Sequence, residues 1–110
     1  MVTRPVRRGE VYLVPLNPAQ GRETRKTRPC VIVSPDELNA GLSTFIVAPL
    51  TTGSHGYPFR VARRLAGRAG HIVLDQLRTV DRGRLVRRLG KLSPEALAAS
   101  LATLREMFAE

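Results

Sequence analysis

Arginine is the residue type of this chain with the most chemical potential. Of 110 residues, 18 are Lys or Arg and nine are Asp or Glu, a formal net charge of +9, and 16 of the 18 are Arg. They collect in Arg22–Arg28, Arg60–Arg68 and Arg78–Lys91. A guanidinium stays ionised and can bond two phosphate oxygens in one plane, so this excess points to a polyanion, either nucleic acid or an anionic membrane. GC-rich coding would inflate arginine without any function. Arg28 precedes Pro29, which biases it to extended backbone and makes the placement of its fork at a strand entrance reproducible. Tyr57 and Phe59, with Arg60 beside them, offer rings on which unpaired bases can stack, and one is expected to face outward and the other inward.

The remaining reactive groups exclude more than they suggest. Cys30 is the one cysteine, so no internal disulfide forms, and it reads as a small buried strand residue. His55 and His71 lie sixteen residues apart, which fits no zinc motif. His55 in its Gly-flanked loop and His71 at a strand start read as solvated side chains. Asp75 and Asp81 are expected to pair with Arg78 and Arg82 rather than to hold a metal. No metal site and no cofactor are expected. The apolar runs fall short of the roughly 18 residues a membrane helix needs, and Gly9 and Glu10 interrupt the basic N-terminus. The expectation is a cytoplasmic domain, residues 1–110, with no membrane partner.

The elements that must position these groups follow from periodicity. Apolar alternation predicts strands at Glu10–Leu16, Cys30–Ser34, Thr44–Leu50, Pro58–Ala62 and His71–Leu77. Leu85–Leu89 is ambiguous between strand and helix. Turn signals sit at Asn17-Pro18, Ser34-Pro35-Asp36 and residues 52–58. Pro15 and Pro49 inside strands imply ends, edges or bulges. Ser93-Pro94-Glu95 is a helix start, with Leu97, Leu101, Leu104 and Phe108 at helical spacing, predicting a helix over 94–109. Short strands and one late helix suggest a mainly β fold, a small and partly open barrel.

Three ordered stretches then carry a resemblance. They are Arg8-Gly9-Glu10-Val11-Tyr12 through Gly21-Arg22-Glu23 to Arg28-Pro29-Cys30-Val31-Ile32-Val33-Ser34; Val47-Ala48-Pro49-Leu50-Thr51-Thr52 through Pro58-Phe59; and Leu74-Asp75-Gln76-Leu77-Arg78-Thr79-Val80-Asp81 with Arg84-Leu85. Together they resemble the MazF/PemK family of toxin endoribonucleases from type II toxin–antitoxin systems. The resemblance implies an SH3-like small barrel over about 7–92, shared with the CcdB gyrase poisons, and a homodimer. It also implies metal-independent cleavage of single-stranded RNA and a cognate antitoxin with an acidic or disordered segment. Carried over position by position, it implies catalytic roles for Glu23, Arg28 and Thr51. It further implies RNA contacts at Thr52, Gln76 and Arg78, and the loop cations Arg25 and Lys26 and the Tyr57 ring join them as RNA-binding candidates. The family's usual Gly-Ser-Glu-Gln is Gly21-Arg22-Glu23-Thr24 here, and Thr27 stands where some relatives have His.

The implied chemistry is attack of an RNA 2′-OH on the adjacent phosphate. Arg28 would stabilise the phosphorane and Thr51 would donate a hydrogen bond to it. Glu23 would move a proton or align Arg28. Two other readings stay open: a CcdB-like gyrase poison without enzymatic activity, and a toxin that binds RNA without cutting it.

Overall fold

Alternating apolar residues drive most of the chain into strands whose two faces bury different side chains. The structure is a computed structural model and describes residues 2–18, 20–23, 26–52, 57–65 and 67–110. Strands β1 (Glu10–Pro15) and β2 (Thr27–Ile32) form an antiparallel hairpin, followed by a short helix α1 (Asp36–Gly41) and the long strand β3 (Thr44–Thr52). Then come β4 (Arg60–Leu65), β5 (Arg68–Val73), β6 (Arg78–Asp81), β7 (Arg87–Lys91) and helix α2 (Pro94–Met107). The seven strands run in the order β4-β5-β3-β2-β1-β7, with β6 also on β3. The fold is mainly antiparallel β with a C-terminal helix, as the periodicity predicts.

Strand β3 organises the sheet. One edge pairs with β2, Cys30 opposite Pro49. The other edge takes β6 along Thr44–Val47 and β5 along Leu50–Thr52. From Ile72 to Arg78 the pairing chain advances six residues, while its partners on β3 step back only three, from Leu50 to Val47. The surplus is taken up by a single 3-10 turn, Leu74–Gln76. The predicted strand His71–Leu77 is therefore corrected: it breaks at this turn, and a strand not expected from sequence, β6, resumes beyond it. Pro49 sits opposite the break, where the ladder on that edge is interrupted, which is why an interior proline is tolerated.

Alternation along β3 separates two cores. Phe45 and Val47 join Tyr12, Val14, Leu16, Cys30, Ile32 and Val80 on one face. Ala48 and Leu50 join Val11, Val31 and Ile72 on the other, where Leu97, Leu104 and Met107 of α2 cover them. Ser93 caps α2 by accepting from the Ala96 N–H at 3.1 Å. Phe108, expected on the apolar stripe, is instead 73% exposed, and Met107 closes the stripe one turn after Leu104. The turn expected at Ser34-Pro35-Asp36 opens into α1, held by the buried pair in which Ser34 Oγ donates to Asn39 Oδ1 at 2.6 Å. Leu85–Leu89 resolves as the approach to and start of strand β7.

Glu10 fastens the start of β1. Its carboxylate accepts from the Arg7 backbone N–H (2.8 Å), Arg88 Nε (2.8 Å), the Tyr12 hydroxyl (3.2 Å) and Arg4 (3.4 Å), with its side chain 8% exposed. Burial alone would raise its pKa, but these hydrogen bonds and the Arg88 charge outweigh burial and hold it below the ordinary 4.5. A carboxylate with a depressed folded-state pKa stabilises the fold above its unfolded pKa, and that contribution vanishes as pH falls through the folded value. Stability should therefore decline from pH 4.5 downward. Glu10→Gln should cost about 2–3 kcal/mol at neutral pH by stranding the arginines. It should also flatten that acid limb, as measured by urea unfolding across pH.

Candidate active site

The first core has an open end, and the hairpin register decides which side chains stand there. Arg28 lies two residues before buried Cys30 on β2, and Thr51 two residues after Pro49 on β3, so both share the face of the first core. The β2–β3 register, carried two residues past its pair Cys30–Pro49, sets Arg28 across from Thr51. Both are half-buried. Arg78, paired with Val47 across β3, projects to the same face and lies close enough to Cys30 for its charge to act on the thiol. Burial dominates there and pushes the Cys30 thiol up to about 12, so it is a packing residue with no thiolate to offer.

Beside this mouth is a cleft of about 340 Å³ whose lining includes Leu16, Glu23, Pro49, Gln76 and Arg78. The 3-10 turn that breaks the second edge of β3 delivers Asp75 and Gln76 to it. Asp75 does not pair with Arg78 as expected from sequence. Arg60 holds it in a bidentate pair, Nε to Oδ1 at 2.9 Å and a terminal nitrogen to Oδ2 at 3.0 Å. The hydrogen bond from Arg60 is the main reason the Asp75 carboxyl is held below its ordinary range. The same guanidinium lies 4.8 Å over the Tyr57 ring. A chain of contacts thus runs from Tyr57 through Arg60 to the cleft wall.

The loop between β1 and β2 is clamped at its base. Arg78 donates to the Leu16 carbonyl, and one terminal nitrogen of Arg84 donates to the Pro15 carbonyl (3.0 Å) and the Asn17 carbonyl (2.9 Å). The Leu16 N–H to Lys26 carbonyl bond, 2.8 Å, closes the loop from the other side. Arg84 and Arg60 are positioning residues that the sequence reading did not single out. Their only signal was a place in two arginine clusters whose members could not be told apart. Asp81 likewise does not pair with Arg82: it accepts from the Gly83 N–H at 2.8 Å, while Arg82 holds the Val2 and Arg4 carbonyls and lies over the Phe45 ring.

The structure brings Glu23, Gln76 and Arg78 into one cleft and sets Arg28 and Thr51 at the adjoining mouth. Glu23 also steadies its own loop, one oxygen accepting from the Gln20 N–H. Lys26 is exposed, with its backbone at φ 66°. Thr52 is exposed and, by alternation, faces away from Thr51. Tyr57 and Phe59 are both exposed, at 56% and 43%, in the turn ahead of β4, against the expectation of one inward ring; residues two apart would share a face on a strand as well. Arg25 and His55 lie outside the described residues. Among the described residues, no group of three or more His, Cys, Asp or Glu is placed to hold a metal ion.

This arrangement can seat an anion between a fixed guanidinium and a hydroxyl, beside a groove with amide, carboxylate and cationic groups. Its precision depends on close approach of β5 to β3. A Cβ on Gly70 would lie 1.9 Å from the Thr51 carbonyl oxygen, so only glycine lets the strands meet there. Gly70→Ala must push β5 off Thr51. The expected outcome is a melting temperature lower by about 10 °C, with altered NMR shifts at Thr51. Gly41→Ala, which meets nothing within 4 Å, is the control expected to leave both unchanged.

Known proteins give the chain its family. Residues 7–108 match the family described as the PemK-like, MazF-like toxin of type II toxin–antitoxin systems. The chain is 36% identical over 113 residues to endoribonuclease MazF9 of Mycobacterium tuberculosis, covering 92% of this chain and 91% of that protein. It is 34% identical over 90 residues to the endoribonuclease toxin MazF of Escherichia coli, covering 81% of each. In three dimensions it is similar to the crystal structure of MazF from Deinococcus radiodurans, with TM-score 0.82 at 25% identity over 96% of this chain and 97% of that one. A mycobacterial endoribonuclease solved in complex with its cognate antitoxin shares the fold, with TM-score 0.77 at 24% identity and 92% of each chain covered. A match across nearly the whole chain, with the Arg28 and Thr51 strands inside it, leaves one assignment: the chain belongs to the PemK/MazF family of type II toxin–antitoxin toxins.

Proposed function

We propose that this toxin cleaves single-stranded RNA by transesterification at the mouth of the first core. The observation that carries the reading is the β2–β3 register, which, carried past its last pair Cys30–Pro49, brings Arg28 toward Thr51 beside a cleft lined by Gln76 and Arg78. The RNA 2′-oxygen bonds to phosphorus, the bond to the 5′-oxygen breaks, and the products are a 2′,3′-cyclic phosphate and a 5′-OH. One proton leaves the 2′-OH and one is delivered to the departing oxygen, so no net proton is consumed. The phosphorane gains negative charge on its non-bridging oxygens. Arg28 offers them a planar pair of donors, and Thr51 offers a hydroxyl from the facing strand. Glu23 is the carboxylate nearest in role to a proton carrier. Gln76 and Arg78 contact the RNA in the cleft; Arg78 uses one terminal nitrogen on Leu16 and keeps further donors for phosphate. Tyr57 stacks on a base, and Lys26 and Thr52 neighbour the RNA's path. No step requires a metal or a cofactor.

Two partners complete the reading. A cognate antitoxin with an acidic segment fits a chain of net charge +9, since covering the basic surface both neutralises and blocks it. Homodimerisation is supported by exposed Leu42, Val86, Leu89 and Phe108, apolar surface that a contact between copies would remove from water. Sedimentation should give twice the chain mass; a monomer at micromolar concentration would rule the dimer out.

The direct test is incubation of the purified protein with mixed-sequence RNA in excess EDTA, with the new ends mapped. Cleavage with cyclic phosphate ends is expected. Arg28→Ala should lower the rate by about 10²–10³-fold and Thr51→Ala by about tenfold. A chain that binds RNA but yields no products, or an Arg28→Ala variant that cuts normally, overturns the mechanism.

A further inference from the structure

The cleavage proposed above moves two protons, one off the 2′-OH and one onto the departing 5′-oxygen, yet Glu23 is its single proton carrier. A carboxylate of ordinary acidity is ionised at neutral pH, so it can take the first proton but has none to give for the second. The 2′- and 5′-oxygens lie in line through phosphorus, so the second carrier belongs on the other side of the phosphate.

The register of β5 places a group there. His71 stands inside β5 (Arg68–Val73) rather than at a strand start, and its partner across the ladder is Thr51. Directly opposed residues of an antiparallel pair project to one face, with Cβ atoms about 5 Å apart. The next pair, Leu50–Ile72, belongs to the second core, so Thr51 and His71 turn to the opposite face, that of the mouth. Strands β2 and β5 lie on opposite edges of β3. The β2–β3 register, carried past Cys30–Pro49, brings Arg28 toward one side of Thr51, and His71 stands on the other. A phosphate on Thr51 is thus flanked by a guanidinium and an imidazole, whose backbones are two strand spacings, about 10 Å, apart.

The ring is available to a substrate. His71 is half-buried, and its other neighbour, Ala62 of β4, is small and exposed. Among the described residues no side chain hydrogen-bonds or ion-pairs with the imidazole. Arg60, on the same face two residues before Ala62, engages both oxygens of Asp75, so that carboxylate is committed elsewhere. Histidine is the side chain that carries and releases a proton near neutral pH. We propose that His71 is the general acid of the cleavage, an assignment that rests on the nuclease reading above. The 2′-oxygen bonds to phosphorus, the bond to the 5′-oxygen breaks, and a ring N–H proton of the imidazolium passes to the leaving oxygen. The 2′-OH proton goes to the Glu23 carboxylate. Exchange with water then returns Glu23 to carboxylate and His71 to imidazolium.

The test replaces the bridging 5′-oxygen by sulfur at the cleavage position mapped on ordinary RNA. A thiolate departs without a proton, so a general acid is dispensable for that substrate alone. His71→Gln and His71→Ala should cut ordinary RNA about 10²-fold or more slower, yet cut the sulfur-bridged RNA within about threefold of the parent rate. Thr51→Ala, which acts on the non-bridging oxygens, should slow both substrates alike. Affinity of the His71 variants for an uncleavable 2′-O-methyl RNA should equal the parent's. Undiminished cleavage of ordinary RNA by the His71 variants overturns the proposal, as does an equal loss on both substrates. A parent chain that cuts neither substrate refutes the nuclease reading and His71's role with it; an active parent without the His71 effects refutes only the acid.

Discussion

The structure depends on one interruption: the three-residue turn that splits the strand running along the second edge of β3. A continuous ladder would carry Asp75 and Gln76 into the sheet and close the mouth of the first core. With the turn in place, β3 keeps β2 as an unbroken neighbour through Pro49, while its other edge opens a cleft that Pro49 lines. Gly70, just before the turn, lets β5 come close enough to hold Thr51. The break also fixes where Arg78 emerges, opposite Val47 and beside the loop it clamps. Placement of the candidate site is a consequence of strand register, with side-chain chemistry added at its ends.

The preference for arginine over lysine also has a structural cause. Arg84 spans the Pro15 and Asn17 carbonyls, Arg82 spans those of Val2 and Arg4, and Arg8 and Arg78 each hold one more. These carbonyls lie at loop bases and along the N-terminal segment, where sheet ladders do not satisfy them. A planar guanidinium with five N–H donors can tie such carbonyls together while keeping donors for a ligand; an ammonium is a point charge with no fork to pre-organise. Part of the charge that first suggested a polyanion therefore works inside the molecule. The remainder leaves the chain its net positive charge of +9.

Strand alternation made much of this legible before any coordinates. β1 and β3, the helix cap at Ser93 and the opposite facing of Thr51 and Thr52 follow from period and residue type. Arg28, Thr51 and Glu23 were reached through ordered motifs, because their types alone do not separate them from surface residues. What stayed hidden was long-range. Asp75 is fifteen residues from Arg60, and nothing local distinguishes that partner from Arg78, three residues away. Arg84 acts on carbonyls nearly seventy residues earlier. The break between β5 and β6 was invisible because Leu74 and Leu77 keep the apolar pattern across it, Leu74 being buried in the second core and Leu77 packed against it. Tyr57 and Phe59 both face outward from a turn, and residues two apart would share a face on a strand in any case.

The two ends of β1 differ in how they treat charge, and that difference separates their roles. At the Glu10 end a buried carboxylate anchors the strand, so the surrounding cations are partly spoken for and the surplus faces outward over an apolar floor. At the Pro15 end the anchors are backbone carbonyls, which hold arginines without neutralising them. A cation whose partner is neutral keeps its full charge, and one fixed by such a partner is already ordered before a phosphate arrives. Arg78 meets that condition at the cleft, and Arg28, set by its proline and by its pairing with Val14 of β1, meets the ordering requirement at the mouth. The end of β1 anchored by dipoles therefore presents its arginines ordered and at full charge, while at the other end a carboxylate neutralises part of the charge it anchors.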